Sequence, residues 1–258
     1  MKGMATPLLA PGIPPDYYRR IFEVEEFHWW YRGMRSISAS LLGECLTRPG
    51  QRLLDAGCGT GGFLEWALGH GTFAFVAGVD IGSAPIQLAR ERLPEADLRT
   101  APLCALPFAD GSFDVVVTND VLQHVPEDEV DESLRELRRV LAAGGALLLR
   151  TNGARHLRRE RADWRAYDRA TLVTTLEQGG FTVERVTYVN SLFSLYAAMR
   201  GRLPHAPSES HDGIPRREPS RLASALGRRV LAGEARWLAR PGRSLPYGHT
   251  LFAVASPA

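Results

Sequence analysis

The chain has 258 residues, 45% of them hydrophobic, with a formal net charge of +2. That is room for one well-buried α/β domain with additions, or at most two small ones, and too little charge to suggest a nucleic-acid binder. Lys2 is the only lysine; the remaining basic residues are arginine, which with many Ala and Gly reflects a GC-rich coding bias rather than function. Cys45, Cys58 and Cys104 lie far apart with no CxxC or Cys/His spacing, so neither a metal site nor a disulfide framework is expected. "MKGMATPLLAPGIPP" is too short in its apolar part and too rich in proline for a signal peptide. No apolar run approaches the ~20 residues of a membrane span. The expectation is a cytoplasmic protein without membrane or nucleic-acid partners; a homodimer is left open.

In chain order, residues 1–15 are expected to be disordered or loosely attached because of their prolines. From Asp16 to about Leu46 the period is helical: Tyr17, Ile21, Val24 and Phe27 recur, then Ile37, Leu41 and Leu42. Two helices are expected, with "FHWWYRG" at or near their junction. From residue 51 strand and helix alternate. "RLLDAG" reads as a short buried strand, "GGFLEWALGHG" as a helix closed by glycine, and "FAFVAGVD" as strand two. "SAPIQLARERL" reads as a helix with Ser83 as its N-cap. "ADLRTA" reads as strand three and "FDVVVTND" as strand four. "PEDEVDESLRELRRVLAAGG" is a helix with acids first and arginines last, the order that suits the helix dipole. "GALLLRTN" is strand five. This alternation implies a parallel, doubly wound sheet.

Residues 153–169 are rich in arginine and read as irregular. "DRATLVTTLEQGG" reads as helix, "FTVERVTYVN" as strand and "LFSLYAAMRG" as helix. Residues 201–219 read as a mobile loop. "SRLASALGRRVLAGEARWLAR" is an amphipathic helix, and "HTLFAVAS" a final strand.

Gly57, Gly59 and Gly62 spell G-x-G-x-x-G between the first strand and its helix. Such a turn lets a ligand approach the backbone, and it serves dinucleotides and S-adenosylmethionine alike. Asp80 ends strand two, 23 residues after Gly57, where a carboxylate accepts from both ribose hydroxyls of either ligand. Asp55 separates the two. A fixed carboxylate beside the turn disfavours a pyrophosphate and favours an ammonium and a sulfonium. The competing reading is that Asp55 only caps loop amides.

"LLDAGCGTGGFLEWA", "VAGVDIG", "LPFADGSFDVVVTNDVLQHV" and "LRELRRVLAAGGALLLR" follow one another at natural spacings. Over about residues 50–150 they resemble the class I S-adenosylmethionine-dependent methyltransferases, in particular the small-molecule, type 11-like branch. "GHTLFAVA" resembles the last strand of such enzymes, which runs antiparallel at the sheet's end. The resemblance implies a Rossmann-like seven-stranded sheet, with residues 1–48 as an N-terminal helical lid. Residues 49–258 would then be the methyltransferase domain and 191–247 a variable substrate-side insertion. It implies S-adenosylmethionine as cofactor and S-adenosylhomocysteine as product. Asp55 and the backbone of Ala56, Gly57 and Gly59 would serve the methionine end and the turn, Asp80 the ribose, Ile81 the adenine face. The backbone of Leu103 and Cys104 would frame the adenine edge, and Asn119 would lie beside the methionine moiety. Many relatives carry an Asp before the residue aligned with Leu103; Pro102 stands here and removes that acceptor for the adenine amine.

"EEFHWWYRGMR", residues 25–35, reads either as aromatic packing or as a lid. An "HWWY-G-R" segment also resembles a subgroup of bacterial methyltransferases encoded with sugar or secondary-metabolite pathways. In the lid reading Arg35 pairs with the methionine carboxylate and Tyr31 lines the same end. His124 and His28 are the candidate bases for a hydroxyl acceptor; either one otherwise caps or packs. The arginines of 153–169 are a solvated face or else meet an anionic substrate. The expected reaction is methyl transfer to a small molecule, first an oxygen of a sugar or secondary metabolite. The alternative is a protein of this fold that binds S-adenosylmethionine without transferring methyl, a cyclase or regulatory subunit.

Overall fold

Residues 16–153, 165–199 and 220–258 are described by a computed structural model. The expectations for residues 1–15, the arginines of 154–164 and the 201–219 loop lie outside these residues. Five strands form the parallel part of one sheet: β1 (Gln51–Ala56), β2 (Phe73–Asp80), β3 (Asp97–Thr100), β4 (Phe113–Asn119) and β5 (Leu141–Asn152). β6 (Phe181–Val189) and β7 (Thr250–Pro257) complete the order β3-β2-β1-β4-β5-β7-β6, with β7 antiparallel to both neighbours. The last strand is antiparallel as expected, but it does not lie at the sheet's end. It pairs antiparallel with β5 on one side and β6 on the other, so β6 takes the edge.

Alternation along the strands sorts the side chains into two cores. Leu54, Ala56, Val116, Leu147 and Leu149 face α6 (Val130–Val140) and α7 (Arg169–Gln178). Leu53, Val115, Val117, Leu148 and Phe252 face the other layer. That layer holds α2 (Trp29–Leu42), α3 (Glu44–Thr47), α4 (Gly62–Leu68), α5 (Ser83–Arg92) and α9 (Arg221–Leu238). α1 (Tyr17–Val24) precedes α2, with the aromatic segment at their junction as expected, and α8 (Ser191–Met199) follows β6.

Two boundaries differ from the sequence pattern. The helix over "LRELRRV" stops at Val140, because Leu141 already pairs with Phe113 of β4. The ladder then resumes at Val115–Ala146, and the intervening "AAGG" bulges, with Gly144 at φ +75°. Ser83 is the first residue inside α5 rather than its cap. Asp80 takes the Gly82 amide, which sets the turn so that Gly82 stands at the cap position.

α2 is built into the second core, with Met34 and Ile37 fully buried. It packs closely along α9. A Cβ on Gly33 would lie 2.2 Å from Leu231 Cδ1, and one on Gly227 2.5 Å from the Trp29 ring. The two glycines thus let each helix sink onto a large side chain of the other. At the far end, Glu234 of α9 accepts from the amides of Asn190 and Ser191, both at 2.8 Å, and so caps α8. In an isolated helix Ala is favoured over Gly by about 0.8–1.0 kcal/mol. Here Gly33→Ala and Gly227→Ala are each expected to destabilise by about 1–3 kcal/mol through overpacking, read as a lowered midpoint in urea unfolding.

Candidate functional site

Period-two alternation carries Leu53 to Asp55, Val117 to Asn119 and Leu148 to Arg150, while Asp80 continues the series of Val76. Asp55 is in register with Gly78 and Val117, and Asn119 with Arg150. The four polar residues therefore form a row at the carboxyl ends of neighbouring strands, on the face covered by α2 and α9. This is where an open parallel sheet binds ligands, at the point where strand order reverses around β1.

Asp55 is 2% exposed, and its Oδ1 has no hydrogen-bond partner. Burial pushes its carboxyl up to about 8; the Arg150 charge pulls down, and Asp80 and Glu25 push further up. The amide-capping reading finds no support, since the amides of Gly57 and Cys58 both donate to Val79 C=O at 2.8 Å. The Gly57 and Cys58 amides are thus already bonded within the sheet. Asn119 Oδ1 is likewise buried without a partner. Two orphan acceptors at neighbouring strand ends match a donor that carries positive charge, as a methionine ammonium does.

Gly57 stands at φ +91°, and a Cβ there would lie 2.0 Å from Val121 Cγ2, so only glycine fits. Around Gly59 the space is open. Asp80 fixes the turn from below: Gly59 N–H donates to Oδ2 at 3.0 Å and Gly82 N–H to Oδ1 at 2.8 Å. Burial raises its pKa while those two amides lower it. Each oxygen keeps acceptor capacity for a ribose hydroxyl. Ile81, beside it, is 67% exposed, an apolar surface next to the candidate nucleoside site. Leu103 is anchored in the first core, and the Cys104 thiol donates to Glu129 Oε2 at 3.6 Å, which holds that loop against residues 127–129.

The N-terminal segment crosses this row. Tyr18 lies near Asp80, its phenol pushed up to about 12 by burial and then by the Asp80 charge. His28 caps α2, its Nδ1 accepting from Trp30 N–H at 3.3 Å. Trp29 packs on Phe193 and Gly227, so at least this Trp is core packing. Burial raises the Tyr31 phenol, with the charges of Glu25, Tyr17, Arg150 and Asp120 acting on it in turn. Arg35 is buried beside Glu25 and Gly62, and burial lowers its pKa. His124 ends the turn after β4, exposed, with its Nε2 3.3 Å from Gln123 Nε2. The strand ends thus bring together Asp55, Asp80 and Asn119; Tyr31 lies in α2, His28 is tied to that helix and His124 sits on an exposed turn.

Four residues that sequence reasoning passed over complete the site. Arg92 of α5 donates to Glu25, to Thr60 C=O at 3.3 Å and to Phe22 C=O at 2.8 Å, and pairs with Glu65 at 3.1 Å. Glu25 also accepts from Thr60 Oγ1. One buried arginine and one buried carboxylate thereby tie α1 to the glycine turn. Asp120 and Arg150 pair at the ends of β4 and β5. No local signal marks Glu25 or Arg92 among the other charges; Asp120 and Arg150 were visible only as the polar residues ending two apolar strands.

The family model described as "Methyltransferase domain" matches residues 54–149. A probable S-adenosylmethionine-dependent methyltransferase of Mycolicibacterium smegmatis is 31% identical over 186 residues, 68% of each chain. A malonyl-[acyl-carrier protein] O-methyltransferase of Erwinia pyrifoliae is 39% identical over 127 residues, 48% of this chain and 46% of that protein. Several other curated relatives are matched over only 34–52% of their own length. The crystal structure of the [4+2]-cyclase SpnF shares the fold, at TM-score 0.58 and 21% identity over 89% of this chain and 83% of that one. On the strength of the long M. smegmatis match and the family model, the chain belongs to the class I S-adenosylmethionine-dependent methyltransferases, with S-adenosylmethionine as its cofactor.

Proposed function

We propose that the protein transfers the methyl group of S-adenosylmethionine to an oxygen of a small molecule, a sugar or secondary metabolite. The observation that carries the site assignment is the pair of orphan acceptors, Asp55 Oδ1 and Asn119 Oδ1, on one sheet face with Asp80. Asp55 and Asn119 hold the ammonium, Asp80 the ribose hydroxyls, and Ile81 with the Leu103–Cys104 backbone the adenine. Arg35 serves the methionine carboxylate and Tyr31 lines that end. Residues 16–35 act as the lid, and the described parts of 191–247 lie on the acceptor side.

The cofactor supplies an activated methyl on a sulfonium. The chain's part is to align the acceptor in line with that carbon–sulfur bond, exclude water and take up the acceptor's proton. Bound between Asp55, Asn119 and Asp80, S-adenosylmethionine would supply the methyl for the acceptor oxygen and leave as S-adenosylhomocysteine, while a base on the chain would take up the hydroxyl proton. His124 is favoured for that role over His28, whose Nδ1 is committed to the α2 cap. The second reading, binding without methyl transfer, is favoured by the shared fold with a cyclase. The two readings separate on whether S-adenosylhomocysteine accumulates, by mass spectrometry, during incubation with a panel of hydroxylated sugars and secondary metabolites.

Binding should release protons. Asp55 is largely protonated at pH 7 in the free protein, since its pKa is about 8, and it ionises against the ammonium. Calorimetry in buffers of different ionisation heat is expected to show close to one proton released per S-adenosylmethionine at pH 7, fading above pH 9. In Asp55→Asn this release disappears, and affinity falls by about tenfold or more. The cofactor-free variant loses the burial cost of the carboxylate. A folded pKa above the unfolded value makes wild-type stability fall as pH rises from about 4 to about 8, so the variant should melt higher than wild type at pH 8.

Asp80→Ala removes acceptors for two hydroxyls and frees the Gly59 and Gly82 amides. S-adenosylhomocysteine affinity should fall by about 2–4 kcal/mol; unchanged affinity by calorimetry rejects the ribose assignment. His124→Gln should lower turnover of a hydroxyl acceptor by about 10²–10⁴ with cofactor affinity retained. Near-normal turnover leaves alignment alone as the mechanism.

A further inference from the structure

Arg150 projects from the carboxyl end of β5 in register with Asn119, on the face that carries Asp55. Its side chain is only 11% exposed. A buried guanidinium is costly unless it is paired and hydrogen-bonded. Asp120 supplies the pairing: Oδ2 accepts from Nε at 3.0 Å and from Nη2 at 2.7 Å. Asp120 does so from a left-handed backbone, φ +58°, uncommon for a residue other than glycine. Its own N–H donates to Arg150 C=O at 2.8 Å, so main chain and side chain both staple the ends of β4 and β5. Strained backbone of this kind persists where the surroundings over-determine it, often at functional sites.

The guanidinium has two aromatic faces. Its central carbon lies 5.1 Å from the Trp30 ring, in the first turn of α2, and 5.9 Å from the Phe252 ring in the sheet. Both fall within cation–π range. Trp30 is one residue from Tyr31 and two from the His28 cap, so whatever holds Trp30 holds the start of the lid.

We infer that Arg150 is a positioning residue: anchored by Asp120, it clamps Trp30, and with it the start of α2, over the methionine end of the cofactor site. This rests on the assignment of that end to Asp55 and Asn119. The charged and titratable groups acting around Asp55 are Arg150 from β5, Asp80 from β2, Glu25 from the turn before α2, and the Cys58 thiol of the glycine loop. Arg150 is the cation of this set, and it pulls Asp55 toward its ionised form. Arginine suits both tasks, because its plane stacks on an indole while its edge forks to a carboxylate; lysine keeps the charge and loses the plane.

The test uses the full chain and the variants Arg150→Gln and Arg150→Lys, with S-adenosylmethionine and S-adenosylhomocysteine as probes. Calorimetry from pH 6 to 9 reads affinity and proton release; hydrogen exchange with saturating S-adenosylhomocysteine reads protection of residues 29–35. Arg150→Gln is expected to weaken both ligands by about tenfold, to move the pH at which proton release fades upward, and to lower protection of 29–35. Arg150→Lys is expected to keep the wild-type pH midpoint while still losing protection, a split that general destabilisation does not produce. If Arg150→Gln does not fold, the lysine variant carries the test through that split. Wild-type affinity, midpoint and protection in the variants overturn the clamp and leave the Asp55 assignment standing. Absence of proton release in the wild-type protein overturns the Asp55 assignment and, with it, the inference.

Discussion

The site depends on a carboxylate held out of water without a full set of partners. Asp55 is buried at the end of β1 with one oxygen unbonded, in the midst of two further acids, Asp80 and Glu25, and one cation, Arg150. Acceptors gathered in a low-dielectric place repel one another and favour any ligand that brings positive charge and N–H donors. A pyrophosphate brings neither. The burial and neighbouring acids that raise the Asp55 pKa are therefore the same electrostatics that, in the proposed site, favour a sulfonium amino acid over a dinucleotide.

The helices above the strand ends distribute that cost. Arg92, from the far end of α5, joins α1, the glycine turn and α4 through a single guanidinium, and Phe22 lies 4.2 Å beneath it. Glu25 is the carboxylate at the centre of this junction, shared by Arg92 and Thr60. A cover tied in this way reports on the glycine turn it touches. Ordering the turn around a ligand and ordering α1 are parts of one hydrogen-bonded arrangement. α2 is different in kind. Its lower face belongs to the core, and the close approach to α9 at Gly33 and Gly227 fixes its height over the sheet.

Where the chain is periodic, its elements were legible. β1, β2 and β4 are apolar runs with a polar residue at or next to their last position, and the glycines after β1 announce a turn because left-handed backbone angles favour glycine. Asp55 and Asp80 stood out as candidates for a local reason, an acid at or next to the end of a strand beside the glycine turn, whereas Asn119 was a candidate only through the family resemblance. The boundaries that shifted did so through partners distant in sequence. β4 draws Leu141 out of the α6 pattern, and β7 pairs with both β5 and β6 and so displaces the sheet's edge to β6.

By itself the sequence determined the order of strands and helices, the glycine turn, the acids at strand ends and the likeness of residues 50–150 to a family. All of these rest on local rules: side-chain period, backbone angles that favour glycine, and charge placed next to a turn. The tertiary structure decided which charges meet. Glu25 and Arg92 are 67 residues apart, and Asp120 and Arg150 are 30 apart. Their pairing depends on strand register and helix packing, which set distances that no local pattern encodes. It also decided the ionisation of Asp55, because desolvation is a property of everything packed around a group rather than of the residues beside it in the chain.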